Sequence, residues 1–163
     1  MSTDAHGYRW DRPIALWRQR GTVFLWRYQD NAENYPGWHC TADAEGCESL
    51  LRLFAVLRTA EPGDGRTVRL TSPTAAVLSV PNNRGGAARW FAPAKWTLER
   101  ASTAGPGDCR FETDDDRLRL VVSDDTLNRL TELVRDLVDG IDDYSIKLCG
   151  ESLWGWRFNG EAS

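Results

Sequence analysis

The segment Ser123–Phe158, SDDTLNRLTELVRDLVDGIDDYSIKLCGESLWGWRF, carries the pattern that decides the fold. Leu127, Leu130, Val134, Leu137, Val138 and Ile141 recur at steps of three and four, the spacing that lines one side of an α-helix, while Asn128, Arg129, Glu132, Arg135, Asp136 and Asp139 fall mostly elsewhere. Ser123 or Asp124 is placed to accept the free N–H groups of the first turn, and Asp125 adds charge that the positive end of the helix dipole favours. Gly140 supplies a residue able to turn left-handed and end the helix. A short hairpin follows, turning near Gly150. Alternation in its last strand puts Trp154, Trp156 and Phe158 on one side and Gly155 and Arg157 on the other. The aromatic side is the expected floor for the helix.

Outward from this unit, Asp43 reads as the N-cap of a second helix whose stripe is Cys47, Leu50, Leu51, Phe54 and Leu57, ending near Arg58. Thr22 to Tyr28 is rich in β-branched and aromatic residues and reads as a strand either interior to its sheet or covered on both faces, and Gly37 to Thr41 as a shorter one. From Thr67 onward the chain reads as antiparallel β. Val68 and Leu70 alternate with polar residues, Ala75 to Val80 is an apolar run, and Trp96 and Leu98 alternate within Lys95 to Arg100. Cys109 to Thr113 faces Arg117 to Val122 across a tip of Asp114, Asp115 and Asp116. Such alternation implies a sheet with one wet face. The expected fold class is α+β: an antiparallel or mixed sheet of about five to eight strands with two amphipathic helices packed on one face.

The 163 residues are expected to form a single globular domain, 1–163, with 1–20 and 159–163 loosely ordered. With 41% apolar and 27% charged residues the chain has the composition of a folded soluble protein, so disorder is not expected beyond the ends. Eight tryptophans are assigned mainly to the core. A net charge of -4 argues against a nucleic-acid partner. No apolar segment is long enough for a membrane span and Met1 to Gly7 lacks an export pattern, so a cytoplasmic location with reduced Cys40, Cys47, Cys109 and Cys149 is expected.

The tests for chemistry mostly fail. His39, Cys40 and Cys47 lack an evident fourth zinc ligand, and His39 and Cys40, as strand neighbours, point to opposite faces, which counts against a cysteine nucleophile. The stretch Gly150 to Trp154 has Trp154 where a nucleophile elbow needs its second glycine. No metal, cofactor or catalytic residue is assigned.

One charge pattern stands out. Asp136, Asp139, Asp142 and Asp143 crowd the C-terminal end of a helix, where the dipole is already negative. They are the candidate contact for a basic protein partner. The expected function is a non-enzymatic cytoplasmic protein-interaction domain using this acidic patch, of which a toxin-neutralising immunity protein is one concrete form. The alternatives are a small-ligand site drawing on Trp38, Asn82, Asn83, Arg84 and Trp90, or an enzyme with an unfamiliar site.

Overall fold

The computed structural model describes residues 13–29, 36–80, 83, 88–102, 110–141 and 144–158. In chain order these form helix α1 (Pro13–Leu16), strands β1 (Val23–Tyr28) and β2 (Trp38–Ala42), helix α2 (Ala44–Arg58), strands β3 (Gly65–Arg69), β4 (Trp90–Phe91), β5 (Lys95–Arg100), β6 (Arg110–Asp114) and β7 (Arg117–Val122), helix α3 (Asp124–Val138), and strands β8 (Tyr144–Leu148) and β9 (Glu151–Gly155). The fold is α+β, as the sequence implies. Its strands divide between two mixed sheets, one ordered β4-β1-β2-β9-β8 and the other β3-β5-β7-β6. The pairs β2 with β9 and β5 with β7 are parallel, so the region after Thr67 is not purely antiparallel.

Both long helices form where the caps and stripes place them. Asp43 caps α2 through the Gly46 N–H, and Ser123 caps α3 through the Thr126 N–H. On α3 the buried stripe is Leu127, Leu130, Leu133, Val134 and Leu137, whereas Val138 and Ile141 are exposed. The stripe ends a turn earlier than its spacing suggests because the chain leaves the core at Gly140. Full burial of each such leucine is worth about 1.5–3 kcal/mol, enough to make packing rather than propensity the main support of the helix.

One apolar cluster joins the inner faces of both sheets to both long helices: Val23, Leu25, Trp38 and Leu153 from the first sheet, Val68, Trp96, Leu98 and Leu120 from the second, and the two stripes. The opposite face of the second sheet carries Thr67, Thr97, Glu99, Glu112 and Arg119, the wet face that alternation predicts; Arg119 bridges Glu99 at 2.9 Å.

The far face of the first sheet is covered instead. Phe24, Trp26, Tyr28 and Trp156 pack there under Val77, Leu78, Val80 and Ala88. The Ala75 to Val80 run is therefore a cover built of turns, not a strand. Tyr28 pins it by donating to the Leu78 carbonyl at 2.9 Å.

This corrects the expected floor of α3. Trp154 and Trp156 lie on the covered far face, while Leu153 and Gly155 face the helix. A Cβ on Gly155 would sit 3.1 Å from Leu133 Cδ1 and 3.3 Å from Leu137 Cδ2. The missing side chain lets α3 approach the strand closely, and the indoles that share its period are pushed to the other side.

Candidate functional site

The site is built on the solvent face of α3 and the strand that follows it. At the N-terminal end the helix is electrostatically satisfied. Asp124 pairs with Arg100 at 2.8 Å and Asp125 with Arg129 at 3.0 Å, and both carboxylates sit where the dipole favours negative charge.

The C-terminal end is the reverse. The helix closes with a Schellman arrangement in which Gly140, at φ 80, donates to the Leu137 carbonyl and Ile141 to that of Asp136. That motif satisfies backbone carbonyls, and Arg135 is the one basic residue of the last turn. Glu132 and Asp139 are exposed and Asp136 is half-buried, and none of the three has an ion-pair partner among the described residues. Tyr144, the first residue of β8, sits against Glu132 and Asp136. Its burial, the charges of Glu132 and Asp136 and a hydrogen bond to Glu132 push its phenol pKa up, against the opposing effect of Arg129. Between this helix flank and β8 runs an open trough of about 520 Å³ lined by Asp125, Asn128, Arg129, Glu132 and Tyr144 to Lys147.

Of the expected acidic contacts, the structure thus places Asp136 and Asp139 on one exposed helix end; Asp142 and Asp143 lie outside the described residues. Glu132, Tyr144, Ser145 and Lys147 were missing from the sequence reading. The one-turn step from Glu132 to Asp136 is visible in sequence, but the nearness of β8 depends on the tertiary fold.

The proposed ligand set does not converge. Trp38 is 1% exposed and wedged between Phe91 and Phe111, with the Arg27 guanidinium 5.3 Å from its ring centroid. Asn83 is buried and used internally, its Oδ1 accepting from the Ala88 N–H at 2.9 Å. Trp90 is half-buried and belongs to the far-face cluster, on the other side of the sheet from Trp38. Asn82 and Arg84 lie outside the described residues.

The histidine and thiols are equally internal. His39 is fully buried in a stack between Trp26 and Trp156, and its Nδ1 accepts from the Trp156 indole N–H at 2.9 Å. Cys40 points to the opposite face into the main core, where burial and the neighbouring Cys47 push its thiol far up. Burial and the charge of Asp43 push Cys47 up to about 11. Thiols held protonated and away from solvent are poor nucleophiles. Cys149 is disulfide-bonded, which departs from the expectation of four reduced thiols. Among the described residues no three His, Cys, Asp or Glu side chains converge as a metal site, and no helix is long and apolar enough to cross a membrane. Compared with known proteins, the chain matches no family model, no curated protein and no solved structure.

Proposed function

We propose that this protein is a non-enzymatic interaction module that captures a basic protein partner through the acidic C-terminal end of α3. The observation that carries the reading is the contrast along one helix. Carboxylates at its N-terminus are both dipole-favoured and paired, whereas Asp136 and Asp139 at the other end are dipole-disfavoured and have no ion-pair partner among the described residues. Each carboxylate at that end costs a few tenths of a kcal/mol up to about 1 kcal/mol in isolation, a cost that cations from a partner would reverse. Complementary charge of this kind accelerates encounter and rejects acidic competitors.

The setting we propose is the cytoplasm, which Cys40 and Cys47 as free thiols suit; the Cys149 disulfide is the observation against it, since such bonds persist mainly in oxidising compartments.

The test is charge reversal. Asp139→Lys combined with Asp142→Lys and Asp143→Lys should leave the melting temperature within a few degrees of wild type, because Asp139 makes no side-chain bond among the described residues. The same variant should lose the partner recovered by affinity capture from the native host. Recovery of the same partner in the same amount would overturn the reading.

A further inference from the structure

β8 ends its sheet, pairing only with β9 among the described residues. The two strands are joined by Cys149 and Gly150, both at positive φ, 53 and 82, as a two-residue type I′ turn requires. In such a hairpin the residues flanking the turn exchange both backbone hydrogen bonds, and the pairs then alternate along the ladder. With Leu148 opposite Glu151 and Ile146 opposite Leu153, the N–H and C=O groups of Leu148, Ile146 and Tyr144 turn toward β9. Those of Ser145 and Lys147 turn outward. Neither residue has a further bond to any other described residue through these groups.

Folded proteins usually blunt such an edge. Here β3, an edge of the other sheet, is blunted: the Gln19 side chain donates to the Arg69 carbonyl at 3.0 Å and accepts from its N–H at 2.7 Å. A lysine on an edge strand is another common guard. Lys147 is tied inward, however, its Nζ donating to Ser152 Oγ on the neighbouring strand at 3.0 Å. The trough beside α3 is lined by four successive residues, Tyr144 to Lys147. Because side chains alternate between faces, a trough touching all four follows the strand's edge rather than one of its faces. Its helix wall carries Asp125, Asn128, Arg129 and Glu132, and Asp136 follows Glu132 one helical turn on.

We propose that an extended, lysine- or arginine-bearing segment of the basic partner adds to the outer edge of β8 as a further strand, with its cations against Glu132, Asp136 and Asp139. This rests on the acidic-end reading and adds the mode of recognition: backbone bonds to Ser145 and Lys147 supply affinity, and charge selects the segment. A second copy of the chain is disfavoured as occupant, because pairing two β8 edges about a two-fold axis brings two acidic helix ends together. The other edge of the same sheet, β4, is only two residues long and offers no comparable ladder.

The probe is a capped synthetic peptide of alternating lysine and valine, about ten residues long, matching the span of a typical strand addition. Its partner probe has the same sequence with N-methyl groups on one edge, which keeps the charge and removes the donors. The unmethylated peptide should bind wild-type protein, slow amide exchange at Ser145 and Lys147, and weaken as salt rises; the methylated one should bind at least about tenfold more weakly. Ser145→Pro removes an outward donor without touching the β9 ladder, and should weaken the unmethylated peptide to a similar degree. Equal binding of both peptides, with those amides unprotected and with binding lost in Asp139→Lys, overturns the edge docking and leaves the acidic end standing. Binding unchanged in Asp139→Lys overturns the charge reading itself. Failure of the unmethylated peptide to bind overturns edge docking as well. The methylated probe needs no protein variant, so the comparison holds even if Ser145→Pro fails to fold.

Discussion

Asp43 ties the entry of β1 to the start of α2 with three bonds to one carboxylate. Its Oδ1 accepts from the Thr22 N–H at 3.0 Å and the Gly46 N–H at 2.7 Å, and its Oδ2 from the Thr22 hydroxyl at 2.7 Å. The approach is possible because Gly21, at φ 74, has no Cβ to collide with the Gly46 amide. Burial alone raises the Asp43 pKa, but the bonds from Thr22 and Gly46 outweigh it and hold the carboxyl below its ordinary 3.8. With the folded value below the unfolded one, the carboxylate contributes stability that is fully present above about pH 4 and is lost as pH falls through the folded value. Asp43→Ala should therefore cost about 1–2 kcal/mol near neutral pH, measured by urea unfolding, and the gap from wild type should narrow below about pH 4. A gap that stays constant on acidification would mean that the carboxylate's charge contributes nothing beyond the shape of the cap.

At the scale of elements, the contact between α3 and β9 depends on a residue that is not there. The space in front of Gly155 is filled by Leu133 and Leu137, so γ-methyl groups at position 155 have nowhere to go unless the helix moves. Gly155→Val should destabilise the protein by about 1–3 kcal/mol, and Leu133→Ala by about 2–5 kcal/mol through the cavity it leaves. The double variant should cost clearly less than the sum, because the new side chain partly fills the new space; strict additivity in denaturant unfolding would show that the two positions do not share it. The same contact explains what could be read in advance. Helix caps and stripes are local, and Asp43, Ser123, Leu130 and Leu50 announce themselves by spacing alone. The face of β9 that meets the helix is not local: the period of two separates Trp154 and Trp156 from Gly155 but cannot say which side is covered by what. The cover over the indoles comes from Val77, Leu78 and Val80, a segment with no helix or strand period to mark it. The candidate site divides the same way. The carboxylate crowding is written in the sequence, whereas the open edge of β8 depends on which strands pair in the fold, since no described strand other than β9 pairs with it.

At the scale of the whole molecule, the two sheets share one interior. Trp38 of the first sheet touches Phe111 of the second at 5.9 Å between ring centroids, and the buried faces of α2 and α3 belong to the same apolar cluster as strands from both sheets. Neither inner face has another cover among the described residues, so opening one sheet exposes apolar surface of the other at roughly 25 cal/mol per Å². The expectation is a single cooperative transition in which both sheets lose protection together. Leu98, fully buried on β5, tests it from one side: Leu98→Ala should cost about 2–5 kcal/mol. Tryptophan fluorescence, to which Trp26, Trp38, Trp90 and Trp154 of the first sheet contribute, and far-ultraviolet circular dichroism should then shift to the same new midpoint, although the substitution lies in the second sheet. Amide exchange within β1 and β2 should accelerate by the same factor as within β5 and β7. If β1 and β2 kept their protection while β5 and β7 lost theirs, the sheets would be separate folding units, and α3, which contacts β7 of one sheet and β8 and β9 of the other, would then be a hinge between them rather than a rigid platform for a partner.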